Sequence, residues 1–249
     1  MAPPPPSSNP PAPGELRIEY AFTTQLADPD KRARCLGLLS DEERARQQRF
    51  RFARDQDSYL LAHALVRRTL SELLGVPPAA LAFEAGEHGR PELIAPRRAP
   101  RLRFNLSHTE GLVACAFAVE HDVGVDVEHV DRRVEIEQLA RSVFSEAERA
   151  ALFALPTAQA QRVRFFELWT LKEAYIKAVG IGLGLPLQAI SLQLDGRPGP
   201  TIGFGPELAD DPARWFLYVG PLGDGHMLAA ALAAAPTATS IVERDPGAP

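Results

Sequence analysis

A short pattern that occurs twice in the chain limits its possible folds more than any other feature. A serine followed by acids and an arginine stands at Ser40 in LSDEERARQ and at Ser145 in FSEAERAAL, as at a capped helix start. Downstream, LKEAYIK from Leu171 aligns with LAHALVR from Leu61, and each segment runs into a glycine-bearing stop and a proline turn. The repeat predicts two similar α/β lobes joined near residues 119–122, although two amphipathic helices can also resemble each other by chance.

The predicted fold class is therefore α+β, built from two pseudo-symmetric α/β lobes. We expect an amino-terminal lobe over residues 15–121 and a carboxy-terminal lobe over residues 122–236. The proline-rich residues 1–14 and the closing residues 237–249 are predicted to be a disordered tail and a flexible tail. Ligands commonly bind in a cleft between lobes, so we expect the active site at their interface.

Composition narrows the classes of function. The chain has 249 residues and a net charge of −5, which argues against bulk attraction to nucleic acid. No apolar run approaches the roughly 20 residues that a bilayer-spanning helix needs, and the amino end lacks a signal-peptide pattern. Two cysteines, Cys35 and Cys115, argue against a disulfide framework or a cysteine metal site. We therefore expect no membrane association and a cytoplasmic location.

Basic residues are nevertheless concentrated in two stretches, RARQQRFRFAR from Arg44 and RRAPRLR from Arg97. A locally basic surface on an acidic protein suits a small polyanion or an acidic partner. A solvated helix face or loop without a ligand is the alternative for each stretch.

Two acids stand two positions apart in GVDVE, at Asp126 and Glu128, directly after the apolar run GLVACAFAV. Side chains two apart on a strand share a face, so both carboxylates point the same way. Burying two ionised carboxylates is costly unless a cation compensates, and oxygen ligands of this kind suit Mg²⁺. A strand end with its polar face in water is the alternative.

A third acid, Glu173, lies in the predicted helix FFELWTLKEAYIKAV, four residues before Lys177. At that spacing an exposed glutamate and lysine form an ordinary surface pair. The apolar and aromatic neighbours indicate instead a helix with little open surface. In the alignment of the two halves, Glu173 falls on His63, which predicts a site in the second lobe that the first lobe lacks.

Four motifs of the chain resemble those of a known family. GVDVE followed by WTLKEAYIK resembles the two-part signature of the 4'-phosphopantetheinyl transferases. FNLSHTEG and HGRP upstream resemble two further elements of that family, and they occur in the expected order. The two-lobed organisation is similar to the larger, surfactin-synthetase-activator type, which is a monomer.

The resemblance implies transfer of phosphopantetheine from coenzyme A to a serine of a carrier protein. Asp126, Glu128 and Glu173 would hold Mg²⁺ against the pyrophosphate, and Glu173 would act as the base, directly or through water. Lys172 and Lys177 would face phosphate oxygens and stabilise the leaving group.

For coenzyme A, the resemblance implies contacts from Lys177 and from four residues of the first half: Arg46, Arg90, Ser107 and His108. The chain departs from the family near Ser58, where many relatives have an arginine for the 3'-phosphate. Arg54 or Arg49 would have to replace that contact. Glu148 matches an acidic position of the family near the active site, but an acid at a helix start has an adequate structural explanation.

The implied partners are acyl or peptidyl carrier proteins of fatty-acid, polyketide or non-ribosomal-peptide synthases. Two other functions stay open on the residues alone. The same three acids could serve a magnesium-dependent hydrolase of nucleotide pyrophosphates, or the chain could be a non-catalytic binding module. The presence of all three acids and both lysines speaks against a binding module.

Overall fold

The computed structural model describes residues 11–12, 14–86, 90–97, 101–194 and 199–248. The chain forms two compact units: the first extends to His121 and includes the segment that begins at Pro236, and the second is Asp122–Ala235. The predicted amino-terminal tail lies almost entirely outside the described residues.

The first unit combines a mixed four-stranded sheet with three helices and a hairpin. Its elements are β1 (Glu15–Phe22), α1 (Pro29–Leu38), α2 (Asp41–Gln47), α3 (Ala53–Leu74), β2 (Ala82–Ala85), β3 (Pro91–Ala95), β4 (Leu102–Thr109), β5 (Leu112–Val119) and, at the carboxy end, a strand at Ala238–Glu243. This last strand runs parallel to β1, and the β1–β5 and β5–β4 pairs are antiparallel. Every residue of β5 is buried, as the apolar run predicts, and α3 packs against this sheet.

The second unit repeats this plan with a smaller sheet. Its elements are β6 (Val123–His129), α4 (Ile136–Val143), α5 (Glu146–Phe153), α6 (Ala158–Val179), β7 (Ile190–Gln193), β8 (Thr201–Phe204), β9 (Phe216–Leu222) and β10 (His226–Leu232). β10 lies between β6 and β9 with antiparallel pairing, and β7 and β8 form a hairpin. α6 packs against β6 and β10. The carboxy-terminal strand of the first unit, at Ala238–Glu243, is β11.

The helices α2 and α5, one in each unit, begin with the same capping arrangement. Ser40 Oγ accepts a hydrogen bond from Glu43 N at 3.2 Å, and the Glu43 carboxylate accepts one from Ser40 N at 2.8 Å. Ser145 and Glu148 form the same reciprocal pair, at 3.3 and 2.7 Å. Each such capping box satisfies two backbone donors that a helix start leaves without partners.

The structure corrects the register of the repeat. Ser145 follows Ser40 by 105 residues, and the left-handed glycine that ends α6, Gly180, follows its counterpart Gly75 by the same 105. The predicted alignment of Leu171 with Leu61 uses a shift of 110 and is wrong. A cap or a helix end marks one structural position in each unit, whereas apolar residues recur along the whole of an amphipathic helix. Caps and helix ends therefore define equivalent positions better than similar apolar residues do.

The carboxy-terminal segment is also different from the prediction of a flexible tail over residues 237–249. β11 pairs in parallel with β1. Beyond it, Arg244 forms ion pairs with Glu19, at 3.2 Å, and with Glu72. Arg68 donates to the carbonyls of Pro246, at 3.1 Å, and Ala248, at 2.6 Å. Long-range pairing partners of this kind cannot be recognised from the composition of the segment itself.

Cys35 and Cys115 are both free and buried. Among the described helices, none is long and apolar enough to cross a membrane.

Candidate functional site

β6 places Asp126 and Glu128 on one face of the second sheet. Asp126 is 5% exposed, and the Glu128 side chain is 15% exposed. The exposed-strand-end alternative is therefore wrong for this pair. Their backbone partners on β10 are Ala229 and Met227, both buried.

Gly124 allows α6 to lie directly on β6. A Cβ built at Gly124 would be 2.5 Å from Ala178 N and closer still to Ala174 O. Backbone of the strand and backbone of the helix are thus in contact with no side chain between them. This approach brings the helix face that carries Glu173 and Lys177 to the acids of β6.

Lys177 is paired with the first acid: its Nζ lies 2.6 Å from Asp126 Oδ1. Glu128 is held by two other groups. Trp169 Nε1 donates to Glu128 Oε1 at 2.8 Å, and Arg132 Nη2 donates to the same oxygen at 3.0 Å. Arg132 Nε also lies 2.8 Å from Glu128 Oε2. Both oxygens of Glu128 therefore face positively polarised groups.

The electrostatics of the acids depend on one another. Burial, with the nearby charge of Asp126, raises the pKa of Glu173, and Lys177 and Arg132 oppose this shift. Burial and the Asp126 charge also raise the pKa of Glu128, against Arg132, Trp169 and Lys177. The charge of Asp126 thus disfavours ionisation of both Glu128 and Glu173, a situation that a divalent cation would relieve.

The donor chemistry of this set, carboxylate oxygens alone, fits Mg²⁺. Across the residues that the structure describes, however, no three His, Cys, Asp or Glu side chains lie close enough together to hold a metal ion as they stand. Lys177 and Arg132 occupy carboxylate oxygens of Asp126 and Glu128 instead.

The prediction that Lys172 faces phosphate oxygens is wrong. Lys172 is 2% exposed, and its Nζ contacts Glu148 Oε2 at 2.7 Å together with three backbone carbonyls. Burial lowers the pKa of Lys172, while the Glu148 carboxylate opposes the shift. Glu148 also accepts from Leu192 N at 2.8 Å, so its structural explanation is sufficient.

The other predicted contacts lie in the first unit. Ser107, which is buried, and His108, which is exposed, are neighbours on β4. Arg90 donates to the carbonyl of Phe104 at 3.1 Å, and Arg46 is exposed, with its guanidinium 6.0 Å from the ring centre of Tyr59. The histidine and glycine of HGRP lie outside the described residues.

Near the departure at Ser58, the two proposed replacements differ in surroundings. Ser58 itself is buried. The Arg54 side chain is 70% exposed, lies 3.7 Å from Asp55 and packs 5.5 Å from the ring centre of Phe52. Arg49 is exposed on the segment that follows α2.

Two residues of the site were not assigned from the sequence. Arg132 lies in the turn between β6 and α4, where neither helical nor strand periodicity relates it to Glu128. Gly124 belongs to the GVDVE motif, but its contact with α6 depends on how the helix crosses the strand. A glycine inside a strand pattern is the available signal for such a close approach.

Comparison with known proteins gives matches over both halves. A model described as the 4'-phosphopantetheinyl transferase superfamily matches residues 122–232. A second model, described as 4'-phosphopantetheinyl transferase, N-terminal, matches residues 28–120.

Individual relatives agree with these models. The chain is 35% identical over 156 residues to the 4'-phosphopantetheinyl transferase HetI of a Nostoc species, a match over 63% of this chain and 65% of HetI, just under two thirds. It is 32% identical over 179 residues to a 4'-phosphopantetheinyl transferase of Bacillus subtilis, covering 72% of this chain and 77% of that protein. With the transferase Sfp of Bacillus subtilis strain 168, identity is 29% over 214 residues, or 86% and 91% of the two chains.

Proposed function

Because this chain belongs to the 4'-phosphopantetheinyl transferase superfamily, we propose that it transfers phosphopantetheine from coenzyme A to a carrier-protein serine. In this reaction the serine oxygen bonds to the phosphorus next to the pantetheine arm, and the pyrophosphate P–O bond breaks. Adenosine 3',5'-bisphosphate leaves, and the serine proton passes to a base. The observation that carries the proposal is the meeting of Asp126, Glu173 and Lys177 where α6 crosses β6.

Glu173 is the proposed base. Burial and the charge of Asp126 raise its pKa, which makes it a better proton acceptor than an ordinary glutamate. It accepts the serine proton directly or through a water molecule. The positive charges of Lys177 and Arg132 oppose this rise in its pKa.

Lys177 is the proposed cation for the phosphates. Its ammonium group pairs with Asp126, and its side chain is 28% exposed to solvent. A lysine in this position can stabilise the negative charge that develops on the leaving phosphate. Lys172 has no such opening and is not part of this proposal.

Asp126, Glu128 and Glu173 would hold Mg²⁺, which supplies charge neutralisation on the pyrophosphate when it is bound. The charge of Asp126, which disfavours ionisation of Glu128 and Glu173, favours such an ion. For Glu128 to reach it, the ion pair with Arg132 would have to open or rearrange.

Arg46, Arg90, Ser107 and His108 are the proposed contacts for coenzyme A in the first unit. Guanidinium groups suit phosphate oxygens as charged donors, and the exposed His108 and Arg46 are open to such a ligand. Arg54 or Arg49, both exposed, would replace the family arginine that is missing near Ser58.

The proposed partners are acyl or peptidyl carrier proteins of fatty-acid, polyketide or non-ribosomal-peptide synthases. We further propose that the protein acts as a monomer, because two similar units within one chain provide the paired lobes of the larger family type. The proposed location is the cytoplasm.

The test is intact mass spectrometry of an apo carrier domain incubated with the protein, coenzyme A and Mg²⁺. A mass gain of one phosphopantetheine on the carrier, lost when its serine is replaced by alanine, is the expected result. Consumption of coenzyme A without carrier labelling would reject the transfer and favour the pyrophosphate hydrolase. A panel of fatty-acid, polyketide and peptide carriers would then identify the partner class.

A further inference from the structure

A buried cation anchors the long helix of the first unit. Arg67 on α3 places Nε 2.5 Å from Glu43 Oε2, the carboxylate of the capping box. Its Nη1 donates to the carbonyl of Pro78 at 2.8 Å and to that of Leu81 at 3.3 Å. The side chains of Arg67 and Glu43 are 5% and 12% exposed. One guanidinium thus joins α3, the start of α2 and the turn before β2.

The second unit contains the same arrangement with a lysine. Lys172 Nζ on α6 lies 2.7 Å from Glu148 Oε2, again the carboxylate of the capping box. It donates to the carbonyls of Leu187 and Ile190, each at 2.8 Å, and to Val143 O at 2.8 Å. Both charged side chains are 2% exposed. One ammonium group joins α6, the start of α5 and the turn before β7.

The two arrangements occupy equivalent positions. Lys172 follows Arg67 by 105 residues, and Glu148 follows Glu43 by the same 105 that separates the capping serines. The carbonyl acceptors also correspond. Pro78 and Leu187 begin short 3₁₀ turns, and the other two acceptors, at 81 and 190, directly follow those turns. The agreement of acid, cation and acceptors in both halves identifies a repeated structural element, which we call the cation anchor.

We propose that Lys172 is a positioning residue: it forms the cation anchor of the second unit and thereby fixes the turn of α6 that carries Glu173. Glu173 follows Lys172 directly. Trp169, which donates a hydrogen bond to Glu128, lies three residues before Lys172. A shift of this turn moves both groups relative to β6. The anchoring does not depend on the proposed function, whereas its effect on catalysis rests on it.

Exchange between lysine and arginine is the first test. Since the first unit builds the same anchor with arginine, a guanidinium at position 172 can donate to the acid and to the same carbonyls. Lys172→Arg is expected to keep the Tm within a few degrees and to retain carrier labelling. Arg67→Lys is the matched exchange in the first unit.

Lys172→Met keeps the length of the side chain but leaves Glu148 buried without its cation. We expect the Tm to fall by roughly 10 °C, because breaking a buried pair is strongly destabilising. Below that Tm, kcat should fall by roughly 100-fold, the effect of a misplacement of about 1 Å, with the KM for coenzyme A little changed. Lys177→Met is the comparison for a phosphate-contacting lysine, and it should lower activity with a smaller loss of Tm.

The double variant Lys172→Met/Glu148→Gln provides a result even where the single variant does not fold. Removing both charges should recover a large part of the lost Tm, since no unpaired charge then remains buried. A Lys172→Met protein with unchanged Tm and a raised KM for coenzyme A would overturn the proposal in favour of phosphate contact. A lowered Tm with unchanged kcat would overturn the positioning role. If the wild-type protein labels no carrier, the proposed function fails, but the Tm measurements still test the anchor.

Discussion

Replacing Gly124 by alanine should damage the site without touching any of its charged groups. The added Cβ would lie 2.5 Å from Ala178 N and closer still to Ala174 O, whereas ordinary contact begins near 3.4 Å. α6 must therefore move from β6 by at least about 0.9 Å, because both opposing atoms belong to the helix backbone and cannot rotate away. Overpacking of this kind costs about 2 kcal/mol of the free energy of unfolding, or roughly 4–8 °C in Tm for a chain of this size.

The same displacement separates the acids of β6 from Glu173 and Lys177. A misplacement of about 1 Å lowers a catalysed rate by roughly 100-fold, so kcat for carrier labelling should fall by about that factor. The measurements are differential scanning calorimetry and the initial rate of labelling at a temperature where the variant is folded.

Gly37→Ala is the matched control. Gly37 is exposed in α1, and nothing lies within 4 Å of the position of its missing Cβ. Alanine there should leave the rate unchanged and raise stability by about 0.5 kcal/mol, since glycine is the poorer helix former. A Gly124→Ala protein with the Tm and kcat of the wild type would refute the reasoning that α6 lies backbone to backbone on β6.

Other expected results concern charge, pH and the carboxy-terminal segment. Glu173→Gln should reduce carrier labelling at least 100-fold with little change in Tm, in a radiolabelled coenzyme A assay. Arg132→Gln should move the acidic limb of the pH profile of kcat/KM to higher pH, because the guanidinium lowers the pKa of Glu173. Burial alone would raise the pKa of Glu43, but hydrogen bonds from His63 and Arg67 lower it to about 2. This group therefore stabilises the fold above the ordinary glutamate pKa and ceases to do so as the pH falls through about 2. In urea unfolding, the free energy of unfolding of Glu43→Gln should fall less than that of the wild type as the pH drops from the ordinary glutamate pKa to about 2. The difference should be roughly 2 kcal/mol after solvent screening. Deletion of residues 237–249 should lower the Tm by several degrees and increase hydrogen exchange in β1, and no change in either would contradict the pairing with β11.

Much of the part of the site that lies in the second unit could be predicted from residue types and spacing. Asp126 and Glu128 share a strand face because strands repeat every two residues, and Glu173 and Lys177 share a helix face because helices repeat every 3.6. Lys172 was misassigned because a lysine in a helix motif has the same letter whether it reaches solvent or a buried carboxylate. Its actual partner, Glu148, is 24 residues away, and the role follows only from burial and four acceptors.

The sequence by itself determined the local elements: the serine caps at 40 and 145, the helix stops at Gly75 and Gly180, and the buried run of β5. Such features depend on interactions between residues a few positions apart, so their pattern is visible in the letters. Only the tertiary structure decided the register of the repeat, the pairing of β11 with β1 and the partners of the buried charges. Lys177 meets Asp126 across 51 residues, and Trp169 meets Glu128 across 41. Contacts at those separations form because α6 packs on β6, and this packing is a property of the folded chain.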